Sequence, residues 1–288
     1  MVSEMCIRDG AGDHAHGLYA NAEALVHYQA ALALGHAETR RLYEASGDMH
    51  VLLGTYTAAL ASYEAAAALC DPASAALAAI EHKLGNIHAR RGAWSSAEVH
   101  FAAALDMEGG AVGRAEAGRI LADWSLAVHA QGQTDRALGL AHDALAAAES
   151  ADDRRGMAQA HNILGILARS QGDALGAAAQ LERSLALAEA LPNPGSRIAA
   201  LNNLALAYAD GGDLAQALTL AEQALALGVA LGDRHREAAL RNNLADLLHA
   251  AGRGEEAMAQ LKQAVVIFAE IGVEAGDTQP EIWKLTEW

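Results

Sequence analysis

Residues 201–224 read LNNLALAYADGGDLAQALTLAEQA, and four positions within them decide the fold: Ala205, Gly212, Ala217 and Ala224. Ala217 has counterparts at Ala24, Ala59, Ala97, Ala137, Ala177 and Ala257, so that seven alanines fall in register 35, 38, 40, 40, 40 and 40 residues apart along the chain. A fixed period of this length marks stacked supersecondary units. Five residues before each of the last six alanines stands a glycine, Gly54, Gly92, Gly132, Gly172, Gly212 and Gly252.

Twelve residues before the same alanines lie Gly47, Gly85, Ser125, Gly165, Ala205 and Ala245, and seven after them come Ala66, Ala104, Ala144, Ser184, Ala224 and Ala264. Small residues recur where two helices must approach closely. Between them fall larger side chains such as Leu84, Trp124, Leu164, Leu204 and Leu244, or Tyr63, Phe101, Leu181 and Leu261, at the three-and-four spacing of a buried helical stripe. Each unit therefore reads as helix, tight turn, helix. The glycine can take the positive φ that ends the first helix without a steric penalty. In Gly172-Asp173 and Gly212-Asp213 the following carboxylate is placed to cap the second helix.

Composition agrees with an all-α chain. Of the 288 residues 52% are hydrophobic but only 4% aromatic, so the apolar content is Ala and Leu, and no stretch alternates like a strand. The formal net charge of −16 repels a phosphate backbone and an anionic membrane surface, so neither nucleic acid nor membrane is expected as a direct partner. No uninterrupted apolar run approaches the ~20 residues of a membrane helix, and the N-terminus lacks the apolar run of a signal peptide. Two cysteines, Cys6 and Cys70, make neither a disulfide framework nor a four-ligand zinc site, which fits a cytoplasmic location.

Chemistry-bearing motifs are missing: there is no phosphate-cradling glycine loop, no His-Glu-x-x-His, no Gly-x-Ser-x-Gly and no paired-cysteine metal motif. The thirteen histidines are scattered with no repeating ligand spacing. The chain is read as a non-enzyme, with no cofactor and no metal.

Small at the eighth position, glycine at the fifteenth, alanine at the twentieth and small at the twenty-seventh, with Tyr56 and Trp94 at an aromatic site two residues after the glycine, is a pattern that resembles the tetratricopeptide repeat over roughly residues 40 to 272. The resemblance implies a right-handed α-solenoid of antiparallel helix pairs. The 40-residue period departs from the family's commonest repeat of 34 and implies longer helices. The phrases Leu201-Asn202-Asn203-Leu204-Ala205 and Arg241-Asn242-Asn243-Leu244-Ala245 resemble C-terminal arrays of bacterial signalling ATPases and transcriptional activators, and kinesin light chains carry a similar phrase.

By that resemblance the first helix of each unit lines an inner wall, with its second, fifth, sixth, ninth and twelfth positions facing a groove for a peptide or helix. Carried onto this chain, the fifth position gives Asn162, Asn202 and Asn242 and the sixth adds Asn203 and Asn243, a ladder of amides able to pair with an extended peptide. The alternative is that these asparagines bond to neighbouring repeats and set the stacking. Arg169, Asp246, His129 and His249 are expected on the same wall. A carboxylate clamp resting on His82, Lys83 and Asn86 lacks its matching cations in the neighbouring unit.

Three segments follow: residues 1–13 as a non-native or disordered tail, 14–275 as about six full repeats after a partial one, and 276–288 as a C-terminal capping helix, with Pro280 in its first turn and Ile282, Trp283, Leu285 and Trp288 packing inward. The stretch Gly12 to Gly17 is Gly- and His-rich, so the array is expected to begin mid-unit and to leave the helix around Asn21 to Leu34 uncovered. The expected role is a protein-interaction scaffold binding a peptide or partner domain, as part of a larger bacterial regulator. The alternatives are self-association through the N-terminal edge, near Leu25 and Tyr28, and a small-molecule-sensing solenoid.

Overall fold

The computed structural model describes residues 2–72, 74–106 and 113–270, with side chains from residue 10 onward. Those residues form seven consecutive helix pairs: α1 (Val2–Gly17) with α2 (Asn21–Ala33), α3 (Thr39–Leu52) with α4 (Tyr56–Ala67), α5 (Ala75–Arg90) with α6 (Trp94–Leu105), α7 (Arg114–Ala130) with α8 (Thr134–Ser150), α9 (Arg154–Ser170) with α10 (Ala174–Ala188), α11 (Gly195–Asp210) with α12 (Leu214–Leu231) and α13 (Arg234–Ala250) with α14 (Gly254–Glu270). The fold is an all-α solenoid of antiparallel helix pairs.

The turn chemistry is as the repeat predicts. Gly54, Gly92, Gly132, Gly172, Gly212 and Gly252 all carry φ between 73° and 89°. Asp173 accepts from the Gly176 amide at 2.8 Å and Asp213 from the Gln216 amide at 3.0 Å, capping α10 and α12. The small eighth position is equally strict. A Cβ added at Gly47, Gly85 or Gly165 would stand 2.4–2.5 Å from Tyr63, Phe101 or Leu181, the side chain that each glycine admits from the second helix of its own pair.

Apolar burial is divided into successive clusters, each spanning adjacent helices. Ala137, Ala141 and Ala144 of α8 pack with Ile163, Leu164 and Leu167 of α9, for example, and Ala217 and Ala221 of α12 with Leu244, Leu247 and Leu248 of α13. Each unit therefore depends on its neighbours for its core. By length and composition alone α12 could cross a membrane, against the expectation that no segment comes close. Its Ala217, Ala221, Ala224, Gly228 and Leu231 are buried in the solenoid, which gives that apolar content a packing role.

The N-terminal boundary differs from the expectation. The array does not begin mid-unit: α1 is the first helix of a complete pair, and Gly12 takes the small eighth position, where an added Cβ would meet Tyr28 at 2.5 Å. Tyr28 is buried and donates its hydroxyl to Asp13 at 2.8 Å, and Leu25, partly buried, packs against the same apolar cluster, so the face of α2 expected to be open is covered. The unit escapes sequence inspection because Tyr19 stands where the other units have glycine and carries the left-handed φ of 58° itself. The expected capping helix over 276–288 lies outside the described residues.

Candidate functional site

The first helices define an inner side. Besides pairing with its own second helix, α5 packs on α7, α7 on α9, α9 on α11 and α11 on α13, while the second helices pack chiefly against the first helices that flank them. Curvature follows, with α5, α7, α9, α11 and α13 on the inside.

At each junction between inner helices a polar bridge crosses from one unit to the next. Asp13 of α1 receives Arg41 of α3 at 3.2 Å; Asp48 of α3 receives Lys83 of α5 at 2.7 Å. His82 of α5 sits between two carboxylates of α7, Nδ1 at 2.9 Å from Glu116 and Nε2 at 2.7 Å from Asp123. Arg119 of α7 reaches Asp153, ahead of α9, at 2.9 Å, and Gln159 of α9 donates to the other oxygen of Asp123. The His82 side chain is buried, which by itself disfavours its charge, but hydrogen bonds to Asp123 and Glu116 outweigh this and raise its pKa to about 9. Glu116 falls to about 2, held down by His82 first and Arg119 next, against its own desolvation.

From α9 onward the buried bridges are made by amides. Asn243 donates to Asn202 at 3.0 Å, Asn202 to Asn203 at 3.2 Å and Asn203 to Asn162 at 3.0 Å, one chain of amides through α13, α11 and α9. All four are at most 5% exposed. The geometry therefore favours the stacking alternative for Asn162, Asn202, Asn203 and Asn243: their amides serve each other, and little of their surface is left for a peptide. Asn242 stays partly exposed outside this chain, and Asp246 is exposed. Arg169 bridges to Asp210 across α9 and α11 at 2.6 Å. Two residues of the carboxylate clamp are engaged too, His82 by Glu116 and Asp123, and Lys83 by Asp48 and Glu44.

Open to solvent on the inner helices is, among others, the ninth position, one turn beyond the bridges. It holds Asn86, Leu126, Ile166, Leu206 and Asp246 in five successive units; the first four are partly exposed. Ile166 and Leu206 follow Asn162 and Asn202 by four residues, on the same helical face. Asp246, the exposed member, closes the row: partial desolvation by the wall raises its pKa, and His249 beside it acts in the opposite direction. The sequence reading misses the three apolar members, although their 40-residue spacing is visible, because apolar residues in a repeat are read first as core. Among the described residues no group of His, Cys, Asp and Glu is arranged to hold a metal ion.

The arrangement has known counterparts. Residues 196–270 match the tetratricopeptide repeat family model. No curated protein matches the sequence. Among solved structures, a Rap protein complexed with Competence and Sporulation Factor superimposes with a TM-score of 0.64 at 14% identity, over 94% of this chain and 78% of that one. The apo form of RapI gives 0.53 at 13% identity, over 82% and 99%. BtubC (BKLC) from P. vanneervenii gives 0.50 at 20% identity, over 80% and 91%. At these identities the likeness is one of fold.

Proposed function

We propose that this chain is a protein-interaction scaffold that takes a peptide or an extended partner segment along its inner wall. The observation that carries the reading is the row Leu126, Ile166 and Leu206, three partly exposed apolar side chains one repeat apart, between Asn86 and Asp246. Packed helices stand roughly 10 Å apart, about the rise of one three-residue turn of polyproline-like chain, which returns every third side chain to the same face. An occupant with an apolar side chain at every third residue matches the row, and a basic group at one end would meet Asp246. Asn242 adds one open amide beside it; the buried amides of Asn162, Asn202, Asn203 and Asn243 keep the wall in register rather than touching the occupant. The Rap structure above was solved with a bound factor, as its name states, which is support by analogy of fold. In this reading the chain acts in the cytoplasm as the recognition part of a larger bacterial regulator.

The test is selection of peptides from a random display library, followed by titration of the enriched sequences against wild type and an Ile166→Asp/Leu206→Asp variant shown by circular dichroism to be equally helical. Binding by the first and loss by the second supports the wall as the site. Equal binding by both, or no enrichment, sinks the proposal.

A further inference from the structure

The turn between α12 and α13, residues 231–236, reaches across to the first three units. Asn21, at the start of α2, is buried and donates to the carbonyls of Leu231 at 3.2 Å and Gly232 at 3.4 Å, partners 210 and 211 residues away. Asp233 lies 3.6 Å from the guanidinium of Arg90, at the end of α5, with both side chains buried. His235 presents its ring to the edge of Tyr56, at the start of α4, with centroids 6.0 Å apart, and to Phe268 of α14 at 5.9 Å. The junction of the sixth and seventh pairs thus touches the first three, and the solenoid is closed on itself.

This closure differs in kind from the stacking of neighbours. No apolar cluster among the described residues joins the two ends: the first clusters involve residues up to Ile87, and the last begins at Ile198. The contacts that join the ends include an amide, an ion pair and an aromatic edge, which can part while the apolar cluster at each end stays assembled.

We propose that the α12–α13 turn is a latch that holds the solenoid closed at neutral pH and lets its ends separate when the pH falls. The groups around His235 give the reason. Arg90 from α5, Arg236 of α13 and Asp233 of the turn face it, alongside the rings of Tyr56 and Phe268, and its Nδ1 has no hydrogen-bond partner. Two guanidiniums against one carboxylate already leave the latch positive, so a further charge on the imidazole is opposed both by burial and by Arg90. His235 is accordingly lowered to about 4, while Asp233 is held ionised by Arg90 and Arg236. A histidine depressed in the closed form favours closure above its ordinary value of 6.5 and opposes it as the pH falls toward 4. At about pH 5 the closed-to-open ratio drops about 30-fold from its value near pH 8 by this group alone. The global charge of −16 acts oppositely, since acid reduces the self-repulsion that favours opening, and a variant at position 235 separates the two effects.

The test is small-angle X-ray scattering of the full chain at about pH 8 and about pH 5, with far-UV circular dichroism at each pH to show that helicity is retained. The radius of gyration should rise in acid for wild type and stay at its neutral value for His235→Phe, whose ring fills the slot without titrating. Asp233→Asn, which still caps α13, should be expanded already at pH 8. Equal dimensions of wild type at both pH values, or acid expansion of His235→Phe like that of wild type, would overturn the latch. Should His235→Phe lose helicity, Asp233→Asn decides: closed dimensions at pH 8 reject the proposal. Scattering reads shape with no partner present, so the result stands whether or not the inner wall binds a peptide.

Discussion

His82 of α5 and Asp123 of α7, 41 residues apart, are joined Nε2 to Oδ2 at 2.7 Å, and Glu116 holds the other ring nitrogen of the same imidazole. A cation between two carboxylates is thereby built into the junction of two neighbouring units, where the later units of the same array use asparagines.

That junction makes part of the stability depend on pH. Because His82 in the fold titrates at about 9, above its ordinary 6.5, its contribution is fully present below 6.5 and disappears as the pH rises through 9. Glu116, displaced to about 2, contributes above its ordinary 4.5 and loses this only as the pH falls through 2. Removing one partner of such a buried pair costs about 3–5 kcal/mol. His82→Gln should therefore melt well below wild type near neutral pH, and the gap should narrow as the pH approaches 10. Thermal melts followed by circular dichroism at a series of pH values check this; a gap independent of pH would show that His82 is not held as a cation.

The amide chain predicts the contrary behaviour. Asn202→Ala leaves the Asn243 amide without its acceptor inside the wall, a loss of about 1–3 kcal/mol that should be the same at pH 5 and pH 9, because no member of the chain titrates. Asn242→Ala, at a partly exposed position outside the chain, should cost under about 0.5 kcal/mol. Urea denaturation of both variants distinguishes them. Similar losses would mean that the buried chain contributes nothing beyond ordinary surface packing.

Glycines of one helical array should respond to alanine with opposite signs. At Gly165 the new Cβ would lie 2.5 Å from Leu181 Cγ, an overpacking that costs about 1–3 kcal/mol. At Gly139, exposed within α8, nothing lies within 4 Å, and the gain in helix propensity should stabilise by about 0.5–1 kcal/mol. Denaturation midpoints of the two single variants give the comparison directly, and a shift of the same sign in both would contradict the packing described for the eighth position.

These contrasts also show what is legible in the sequence. The turn at Gly172-Asp173 can be read because both demands on it, a positive φ and an acceptor for Gly176, are local and each is met by few residue types. The destination of the asparagines is not local. A bridging position and a groove position differ by one helical turn, as Asn162 does from Ile166, and the period places both in every unit. Which of them is open depends on how far neighbouring inner helices approach, a property of packing between units that 40 residues of pattern do not encode. The closure of the ends is less legible still. Asn21 and Leu231 meet only because the small rotations between successive units add up to bring the sixth pair round to the first.

Tyr19 supplies a last test, at the residue that hides the first unit. It occupies the position of the turn glycine with φ 58°, and a side chain in that region costs about 1–2 kcal/mol that glycine does not incur. Tyr19 is 40% exposed, so its removal forfeits the packing of the rest of the ring. Against the gain stands the extra freedom glycine gives the unfolded chain, which is worth up to about 1 kcal/mol. Relieved strain is thus offset by lost packing and by chain freedom, so Tyr19→Gly should move the urea midpoint little, while Tyr19→Val, β-branched and intolerant of positive φ, should lower it clearly. If α1 and α2 were instead not joined by this turn, Tyr19→Val would leave the midpoint unmoved, and the first helix pair would have to be withdrawn from the array.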